Sequence, residues 1–161
     1  MGYFKHDTAV VENGVSIGDD TKIWHFSHVR KGAKIGKTCN LGKDTYIDIN
    51  VVIGDNVKIQ NGVSVWNGVV IENYVFIGPG VVFTNDLYPR SKIWNGERLK
   101  KTLIKEGASI GANSTILCND LVVGKYAMIG AGSVVTKNVP NFGLVVGNPA
   151  KLVGYVCECG E

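Results

Sequence analysis

Large apolar side chains recur at every sixth position through the first half of the chain. The series reads Val11, Ile17, Ile23, Val29, Ile35, Leu41, Ile47, Ile53, Ile59, Val65, Ile71, Ile77 and Phe83. A β-strand repeats with a period of about 2 residues and an α-helix with a period of about 3.6. A period of six therefore predicts a parallel β-helix. It disfavours a β-sandwich, whose strands alternate and are irregularly spaced.

Two further positions of each six-residue unit are restricted in residue type. The fourth residue after each apolar one is small or β-branched, as expected for a second inward position on a short strand. The third is often Gly, Asp or Asn, which tolerate the positive φ of a tight turn. The inward set is Thr21, Ser27, Ala33, Cys39, Thr45, Val51, Val57, Val63, Val69, Val75 and Val81, and the turn set includes Asp20, Gly32, Asp44, Asn50, Asn56, Gly62, Gly68 and Gly80. Each unit is thus a strand and a corner, and the spacing of Gly18, Gly36 and Gly54 indicates three units per coil.

The repeat is interrupted once, which predicts a single all-β domain with one protruding loop. The apolar series resumes at Ile104 and, after one extra residue before Val123, continues to Val135. We expect one domain over residues 1–161, with an entry segment over 1–10, coils over 11–83 and 104–140, a loop over 84–103 and an extension over 141–161. In the extension, Gly147–Lys151 is expected to fold back as an extended strand against the last coils.

The loop over residues 84–103 carries a charge of +3, equal to the formal net charge of the whole chain. Its cations are Arg90, Lys92, Arg98, Lys100 and Lys101, against the carboxylates of Asp86 and Glu97. Long loops without secondary structure are usually functional or disordered. One interpretation is a solvated excursion, and the other is an arm that binds an anion, since Arg and Lys suit phosphate and carboxylate groups. The modest net charge, without a basic run containing aromatics, does not favour nucleic-acid binding.

The four cysteines do not indicate a disulfide framework. Cys39 occupies an inward position and is expected to pack as a small apolar residue. Cys157 and Cys159 resemble half of a zinc knuckle, but no second cysteine pair follows, so we expect a truncated tail and no bound metal. The chain has neither an eighteen-residue apolar stretch nor a leader pattern, so no membrane span is predicted and a cytoplasmic location is expected.

The six-residue units, the single loop and two segments near the end of the chain together resemble the left-handed β-helix acyltransferases, also called hexapeptide-repeat acyltransferases. The two segments are Gly130–Thr136, reading GAGSVVT, and Gly147–Lys151, reading GNPAK. The resemblance covers nearly the whole chain and implies left-handed winding, whereas the usual rule for parallel crossovers favours the opposite hand. It also implies a homotrimer that binds acetyl-CoA between neighbouring subunits.

Three shorter motifs resemble the nucleotide-sugar N-acetyltransferases. They are Ile23–His28, reading IWHFSH, Ile59–Asn61, reading IQN, and Phe83–Asp86, reading FTND, followed by Pro89–Ser91. The most similar type acts on UDP-2-acetamido-3-amino-2,3-dideoxyglucuronate, an intermediate of bacterial surface polysaccharides. The resemblance implies acetyl-CoA-dependent transfer to the amine of a nucleotide-linked sugar. The alternatives are an O-acetyltransferase, a β-helix carbonic anhydrase and a non-catalytic scaffold or binding module. The carbonic anhydrase would need three convergent histidines.

The positions of the histidines favour N-acetylation over O-acetylation. A hydroxyl acceptor needs a base, and the chain has His6, His25 and His28 but none after residue 28. By the repeat, the latter two lie about three coils below the loop, or roughly 14 Å along the axis. A neighbouring subunit is an alternative source of a base. An amine with a pKa of roughly 7.7–8.0 is partly neutral and attacks a thioester directly when it is held in place. Asn85 is the candidate catalytic residue that orients this amine, and its alternative is a turn residue.

The remaining candidates are predicted to bind the two substrates. For the acceptor they are His25, His28, Gln60, Asn61, Thr84, Asp86 and Arg90. For acetyl-CoA they are Gly111, Ala112, Asn113, Gly130, Ala131, Gly132, Lys137, Pro149 and Lys151. The small residues would leave a groove for the pantetheine arm, and the lysines would meet phosphates. Surface and corner geometry is the competing explanation for the histidines and the glycines.

Overall fold

The computed structural model describes residues 2–93 and 96–161, which form a stack of short strands. The strands are β1 (Phe4–Lys5), β2 (Val10–Val11), β3 (Ser16–Ile17), β4 (Lys22–Ile23), β5 (His28–Val29), β6 (Lys34–Ile35), β7 (Asn40–Leu41), β8 (Tyr46–Ile47), β9 (Val52–Ile53), β10 (Lys58–Ile59), β11 (Ser64–Val65), β12 (Val69–Ile71), β13 (Phe76–Ile77), β14 (Val82–Phe83), β15 (Thr102–Ile104), β16 (Ser109–Ile110), β17 (Thr115–Ile116), β18 (Leu121–Val123), β19 (Met128–Ile129), β20 (Val134–Val135), β21 (Gly143–Val146) and β22 (Lys151–Tyr155). A short 3₁₀ helix spans Gly96–Arg98 within the loop.

The strands form three faces of a parallel β-helix, which confirms the predicted fold class. Face A has the order β1-β4-β7-β10-β13-β16-β19-β21-β22, face B the order β2-β5-β8-β11-β14-β17-β20, and face C the order β18-β15-β12-β9-β6-β3. The chain passes from face A to B to C and back, and paired residues before the loop lie eighteen apart, as Ile23 and Leu41 do. We name the turns between faces the A–B, B–C and C–A corners.

The two inward positions of each unit form the core. Every apolar residue of the series from Ile23 to Phe83 is buried, as is every residue of the small or β-branched set from Thr21 to Val81. Val11 and Ile17 are only half-buried, because they lie in the first coil and have a stacked neighbour on one side. The predicted inward assignment is therefore confirmed.

The corners adopt the left-handed backbone that the turn set predicts. Positive φ occurs at every turn position from Asp20 to Gly80, including the bulky Phe26, Thr38 and Tyr74 that the pattern did not single out. Side chains also join successive coils at the corners. The Oδ1 atoms of Asp55 and Asn61 accept hydrogen bonds from the backbone N–H groups of Lys37 and Lys43, each at 2.9 Å.

The helix extends beyond both of its predicted ends. β1 pairs in parallel with β4, so residues 4–5 belong to the first coil rather than to an entry segment. β21 pairs in parallel with β19, so the coils continue past Pro140. The chain folds back as a strand, as predicted for Gly147–Lys151, but the strand spans other residues. Residues 147–150 form a turn with a cis Asn148–Pro149 bond, and β22 then folds back antiparallel to β21. The strand therefore begins only at Lys151, because residues 147–150 are used by the turn.

The cysteines divide as expected, except at the tail. Cys39 and Cys118 are buried free thiols, and burial raises the pKa of Cys39. Cys157 and Cys159 form a local disulfide, which the sequence analysis did not predict and which joins no separate coils. Within residues 2–93 and 96–161, no group of three His, Cys, Asp or Glu side chains is placed to hold a metal ion. No helix in the described part of the chain is long and apolar enough to cross a membrane.

Candidate functional site

Asn85 lies at the base of the protruding loop, where the chain leaves face B. Its carbonyl oxygen accepts a hydrogen bond from the backbone N–H of Lys100 at 3.3 Å, and Asp86 and Leu99 form an antiparallel bridge. These contacts close the loop with a two-stranded neck. The neck fixes the half-buried Asn85 at the B–C corner, so its position does not depend on the outer part of the loop.

Thr84 anchors the neck to the next coil. Its Oγ1 accepts a hydrogen bond from the backbone N–H of Cys118 at 2.9 Å, and its own N–H donates to the carbonyl of Ile116. The Thr84 oxygen predicted to contact substrate is thus already engaged in stacking the coils. Its hydroxyl proton remains able to donate a hydrogen bond.

Two predicted charged residues shape the loop itself. The Oδ1 of Asp86 accepts a hydrogen bond from the N–H of Tyr88 at 2.9 Å. The Nη1 of Arg98 donates to the carbonyl of Tyr88 at 3.0 Å and to that of Ile93 at 3.4 Å. Arg98 therefore braces the loop from within, a role that the charge count alone did not reveal.

The remaining loop cations differ in their contacts. Arg90 is exposed, and its Nη1 donates to the carbonyl of the adjacent Pro89 at 2.9 Å. Lys100 lies 3.9 Å from the carboxylate of Asp120, which also accepts the N–H of Lys101. Arg90, Lys92 and Lys101 are all exposed, so their side chains remain accessible to an anionic ligand. Trp94 and Asn95, which fall within the predicted loop, lie outside the described residues.

The histidines lie three coils from the loop, as the repeat predicts. The order of face B places β5, with His28, three strands below β14, which leads into Asn85. His28 Nε2 lies 2.9 Å from Glu12 Oε1, and its ring meets Tyr46 edge-on at 5.7 Å. His25 is exposed at the A–B corner and stacks on His6, with ring centroids 3.5 Å apart. Within one chain, no histidine can reach an amine held by Asn85.

An ionic column beside His28 was missed by the sequence analysis. The guanidinium of Arg30 lies between two carboxylates, with Nη1 3.1 Å from Asp48 Oδ1 and Nε 3.5 Å from Glu12 Oε1. Glu12 also accepts the N–H of Lys31 at 2.9 Å, and this bond, with the contact to His28, lowers the pKa of its carboxyl. The eighteen-residue spacing of the three charged residues was the available signal. The charge of Arg30 is therefore paired with Glu12 and Asp48 of its own chain.

The corner position that carries this column continues upward to the loop. It holds Glu12, Arg30, Asp48, Trp66 and Thr84 in successive coils. Trp66 is half-buried, packs against the core and lies 5.3 Å from the ring of Tyr46. A cavity of about 130 Å³ opens on face B next to Trp66, between its coil and the coil that leads into Asn85.

The glycines predicted to bind acetyl-CoA line an apolar cavity of about 270 Å³ on face A. Its walls are Phe76, Ser109, Ile110, Gly111, Met128, Ile129, Gly130 and Ala131. A methyl group on Gly111 would lie 2.5 Å from the backbone nitrogen of Ala131, and one on Gly130 would lie 2.7 Å from Val146 Cγ1. Gly111 is therefore required for close stacking of the coils, whether or not the cavity binds a ligand, because its contact is with backbone; the Gly130 contact is with a side chain.

The neighbouring candidates at this corner also hold the coils together. Asn113 has a φ of 57° and donates its N–H to the carbonyl of Pro79, and Gly132 has a φ of 70° and donates to the carbonyl of Ala112. Asn61 Oδ1 accepts the N–H of Lys43 as described above, whereas Gln60 is half-buried at the same corner. These contacts support the corner interpretation for Asn61, Asn113 and Gly132.

The two lysines predicted to meet CoA phosphates line one cavity. Lys137 and Lys151 flank about 290 Å³ at the C-terminal end of the helix, together with Pro140, Ala150 and Leu152. Pro149 follows the cis bond in the adjacent turn and is exposed. The sequence placed these lysines in separate segments, and the fold-back of β22 brings them together.

Most of the predicted site residues thus occupy two edges of the prism. His25, Gln60, Gly111 and Gly130 follow face A strands and lie at the A–B corner, whereas Asn85 and the loop lie at the B–C corner. Face B separates the two edges. One chain therefore does not bring the apolar groove and Asn85 into contact.

Comparison with known protein families identifies the class to which this fold and repeat belong. The family model for bacterial transferase hexapeptide (six repeats) matches residues 14–48, 38–73 and 50–85, and that for the hexapeptide repeat of succinyl-transferase matches residues 102–137. The chain belongs to the bacterial hexapeptide-repeat transferase family, and its fold is the left-handed β-helix of that family.

The chain is also similar to individual proteins of known activity or structure. The chain is 53% identical over 156 residues to dTDP-3-amino-3,6-dideoxy-alpha-D-galactopyranose 3-N-acetyltransferase of Aneurinibacillus thermoaerophilus, covering 97% of this chain and 80% of the relative. Among solved structures, WeeI from Acinetobacter baumannii AYE is 27% identical with a TM-score of 0.61, covering 92% of this chain and 57% of that one. PerB from Caulobacter crescentus, solved with CoA and GDP-perosamine, is 18% identical with a TM-score of 0.59, covers 96% of this chain and 58% of that one, and supports the fold alone.

Proposed function

We propose that the protein is an acetyl-CoA-dependent N-acetyltransferase that acts on the amino group of a nucleotide-linked amino sugar. The similarity to the Aneurinibacillus enzyme over nearly the whole chain supports this activity. That relative's named acceptor is a 3-amino-3,6-dideoxy sugar. We therefore favour a nucleotide-linked 3-amino-6-deoxyhexose over the uronic acid that the short motifs first suggested. In this proposal the product serves bacterial surface polysaccharides, including O-antigens, and the reaction takes place in the cytoplasm.

The separation of the two site edges supports a homotrimer with active sites between subunits. The apolar groove at the A–B corner and Asn85 at the B–C corner lie at opposite ends of face B. A three-sided prism that associates about a threefold axis can place one subunit's A–B corner beside its neighbour's B–C corner. In that arrangement the loop of one subunit covers the groove of the next.

The position of Asn85 without a nearby histidine in its own chain carries the proposed mechanism. The amide oxygen of Asn85 accepts a hydrogen bond from the acceptor amine and directs the nitrogen lone pair at the thioester carbonyl carbon. The new C–N bond forms as the C–S bond breaks. The departing thiolate takes the proton that the nitrogen releases. Positioning supplies the rate enhancement here, since the neutral amine needs no base to attack.

Asn85→Ala tests this mechanism, with Asn67→Ala as a matched control. Asn67 occupies the same corner position one coil below and is also half-buried. Acetylation of dTDP-3-amino-3,6-dideoxygalactose is followed by release of free thiol from acetyl-CoA. We expect kcat/KM to fall about 10- to 100-fold in Asn85→Ala, as for loss of one positioning hydrogen bond. Acetyl-CoA affinity and thermal stability should stay at parent values, and Asn67→Ala should react normally.

Two results would contradict the proposal. Absence of thiol release with every amino-sugar nucleotide tested would remove the activity itself. The acidic limb of the pH–rate profile tests the mechanism separately. It should follow the pKa of the acceptor amine and move when the acceptor is changed. A limb fixed at about 6.5 for all acceptors would report a histidine base instead.

A further inference from the structure

The cavity beside Trp66 lies directly below the strand that leads into Asn85. It is lined by Gly62, Ser64, Trp66, Val81, Val82 and Phe83. Asn85 follows Phe83 by two residues, so their Cα atoms are at most about 7.6 Å apart. The cavity therefore lies within the width of one sugar ring from the residue proposed to hold the acceptor amine.

The size and chemistry of this cavity restrict what it can hold. Its volume of about 130 Å³ is well above the roughly 10–15 Å³ that a single water needs, so it has room for one substituted edge of a sugar ring. None of the residues that line it is charged, and Ser64 supplies its one side-chain hydroxyl. The Trp66 indole forms an aromatic wall, and Val82 lies on the outer surface of face B with half of its area exposed.

The ionic column below the cavity does not favour an anionic substituent. In the corner column the position below Trp66 is Asp48, whose Oδ2 accepts the N–H of Asn67 at 3.2 Å. Asp48 and Glu12 together share the single guanidinium of Arg30. A carboxylate brought into the cavity would lose water, gain no cationic partner from its walls and approach this acidic column.

We propose that this cavity receives the C6 methyl group of the acceptor sugar, so that Trp66 and Val82 make the enzyme selective for 6-deoxy sugars. The inference rests on the proposed function and adds the residues that determine its specificity. A methyl group fills an apolar pocket without leaving a polar group unpaired. A hydroxymethyl group adds one polar atom for Ser64 to satisfy, and a carboxylate adds a charge that the pocket does not neutralise.

Three nucleotide-linked 3-amino sugars that differ only at C6 test the proposal. They carry a methyl, a hydroxymethyl or a carboxylate group, and kcat/KM is measured for each with acetyl-CoA. We expect the parent protein to prefer methyl over hydroxymethyl by roughly 10-fold, within the range of one group in an apolar pocket. It should prefer methyl over carboxylate on the order of 100-fold, because the buried charge stays unpaired.

Val82→Lys should reduce the preference for methyl over carboxylate at least about tenfold, since it adds the missing cation. Val52→Lys is the matched control, because Val52 is also an outward strand valine, 40% exposed, but lies on face C. Its ratio should equal that of the parent. If Val82→Lys does not fold, Val82→Thr takes its place and should narrow the gap between methyl and hydroxymethyl acceptors.

The outcomes separate this inference from the function on which it rests. Failure of the parent to acetylate any of the three sugars would overturn the proposed function and the inference with it. The inference alone would be overturned if the parent acetylates these sugars but Val82→Lys or Val82→Thr leaves the ratio of kcat/KM between the acceptors unchanged. A parent that prefers the carboxylate acceptor would also overturn it.

Discussion

Gly111→Ala measures how closely the coils must stack at the apolar groove. The added methyl carbon would lie 2.5 Å from the nitrogen of Ala131, 2.7 Å from the oxygen of Ile129 and 2.8 Å from the Ala131 Cα. All three atoms are backbone atoms of the next coil, so no side-chain rotation can relieve the contact. The backbone of Gly111 lies outside the positive-φ region. Alanine is therefore disfavoured here by packing rather than by conformation.

The expected loss follows from two opposing terms. Overpacking of a rigid site costs about 1–3 kcal/mol, and we take the upper end because backbone atoms must move. Replacing glycine with alanine also stabilises the protein by about 0.4–1 kcal/mol, because it lowers the conformational entropy of the unfolded chain. The net loss is about 2 kcal/mol, which lowers Tm by about 4–8 °C in a domain of this size.

Gly154→Ala is the matched control for this substitution. It has no heavy atom within 4 Å of the added carbon, so its Tm should equal or slightly exceed that of the parent. Thermal unfolding followed by circular dichroism measures both variants. A Gly111→Ala protein that melts with the parent would refute the stacking argument. Acetyl-CoA affinity, measured well below Tm, then separates the roles of Gly111. A weakened Kd indicates contact with the cofactor, and an unchanged Kd indicates packing alone.

Two further predictions concern the loop and the ionic column. Arg98→Ala should lower kcat/KM about tenfold with little change in Tm, because it removes the brace inside the loop but no coil contact. Lys92→Ala removes the same charge without a brace and should keep normal kinetics; equal losses in the two variants would point to charge alone. Glu12 has a pKa lowered by the Lys31 N–H and by His28, so it stabilises the fold above its ordinary value of 4.5, and this contribution is lost as pH falls through the lowered value. In Glu12→Gln the urea midpoint of unfolding should fall less steeply as the pH is lowered below 4.5. A fall as steep as in the parent would show that other carboxylates are responsible.

The loop is where sequence-based prediction was least complete. The break in the period located it correctly after Phe83, and its charge suggested anion binding. The sequence did not show that Arg98 donates to two loop carbonyls, nor that Asn85 is fixed by Lys100 across the neck. These contacts join residues that share no period, so no local pattern records them.

The sequence analysis separated the histidines from Asn85 along the axis, but it did not say which edge of the helix each candidate residue occupies. The motif around His25 and the glycines at 111 and 130 follow face A, whereas Asn85 follows face B. Before the loop, each step of six residues moves to the next face, and each step of eighteen moves to the next coil on the same face. The separation was therefore already encoded, but its consequence for assembly became visible only with the three faces described.

The sequence by itself determined the coil. Each six-residue unit specifies an inward pair and a corner, and stacking repeats the same contacts at every level. A periodic pattern therefore fixes fold class, register and core together, from Ile23 to Phe83. Only the tertiary structure decided which polar groups meet across coils. Arg30 between Glu12 and Asp48, Thr84 under the Cys118 N–H, and the cavity beside Trp66 all depend on side-chain directions between residues eighteen or more apart. Those directions are set by the packing of neighbouring coils, which hydrophobic periodicity does not encode.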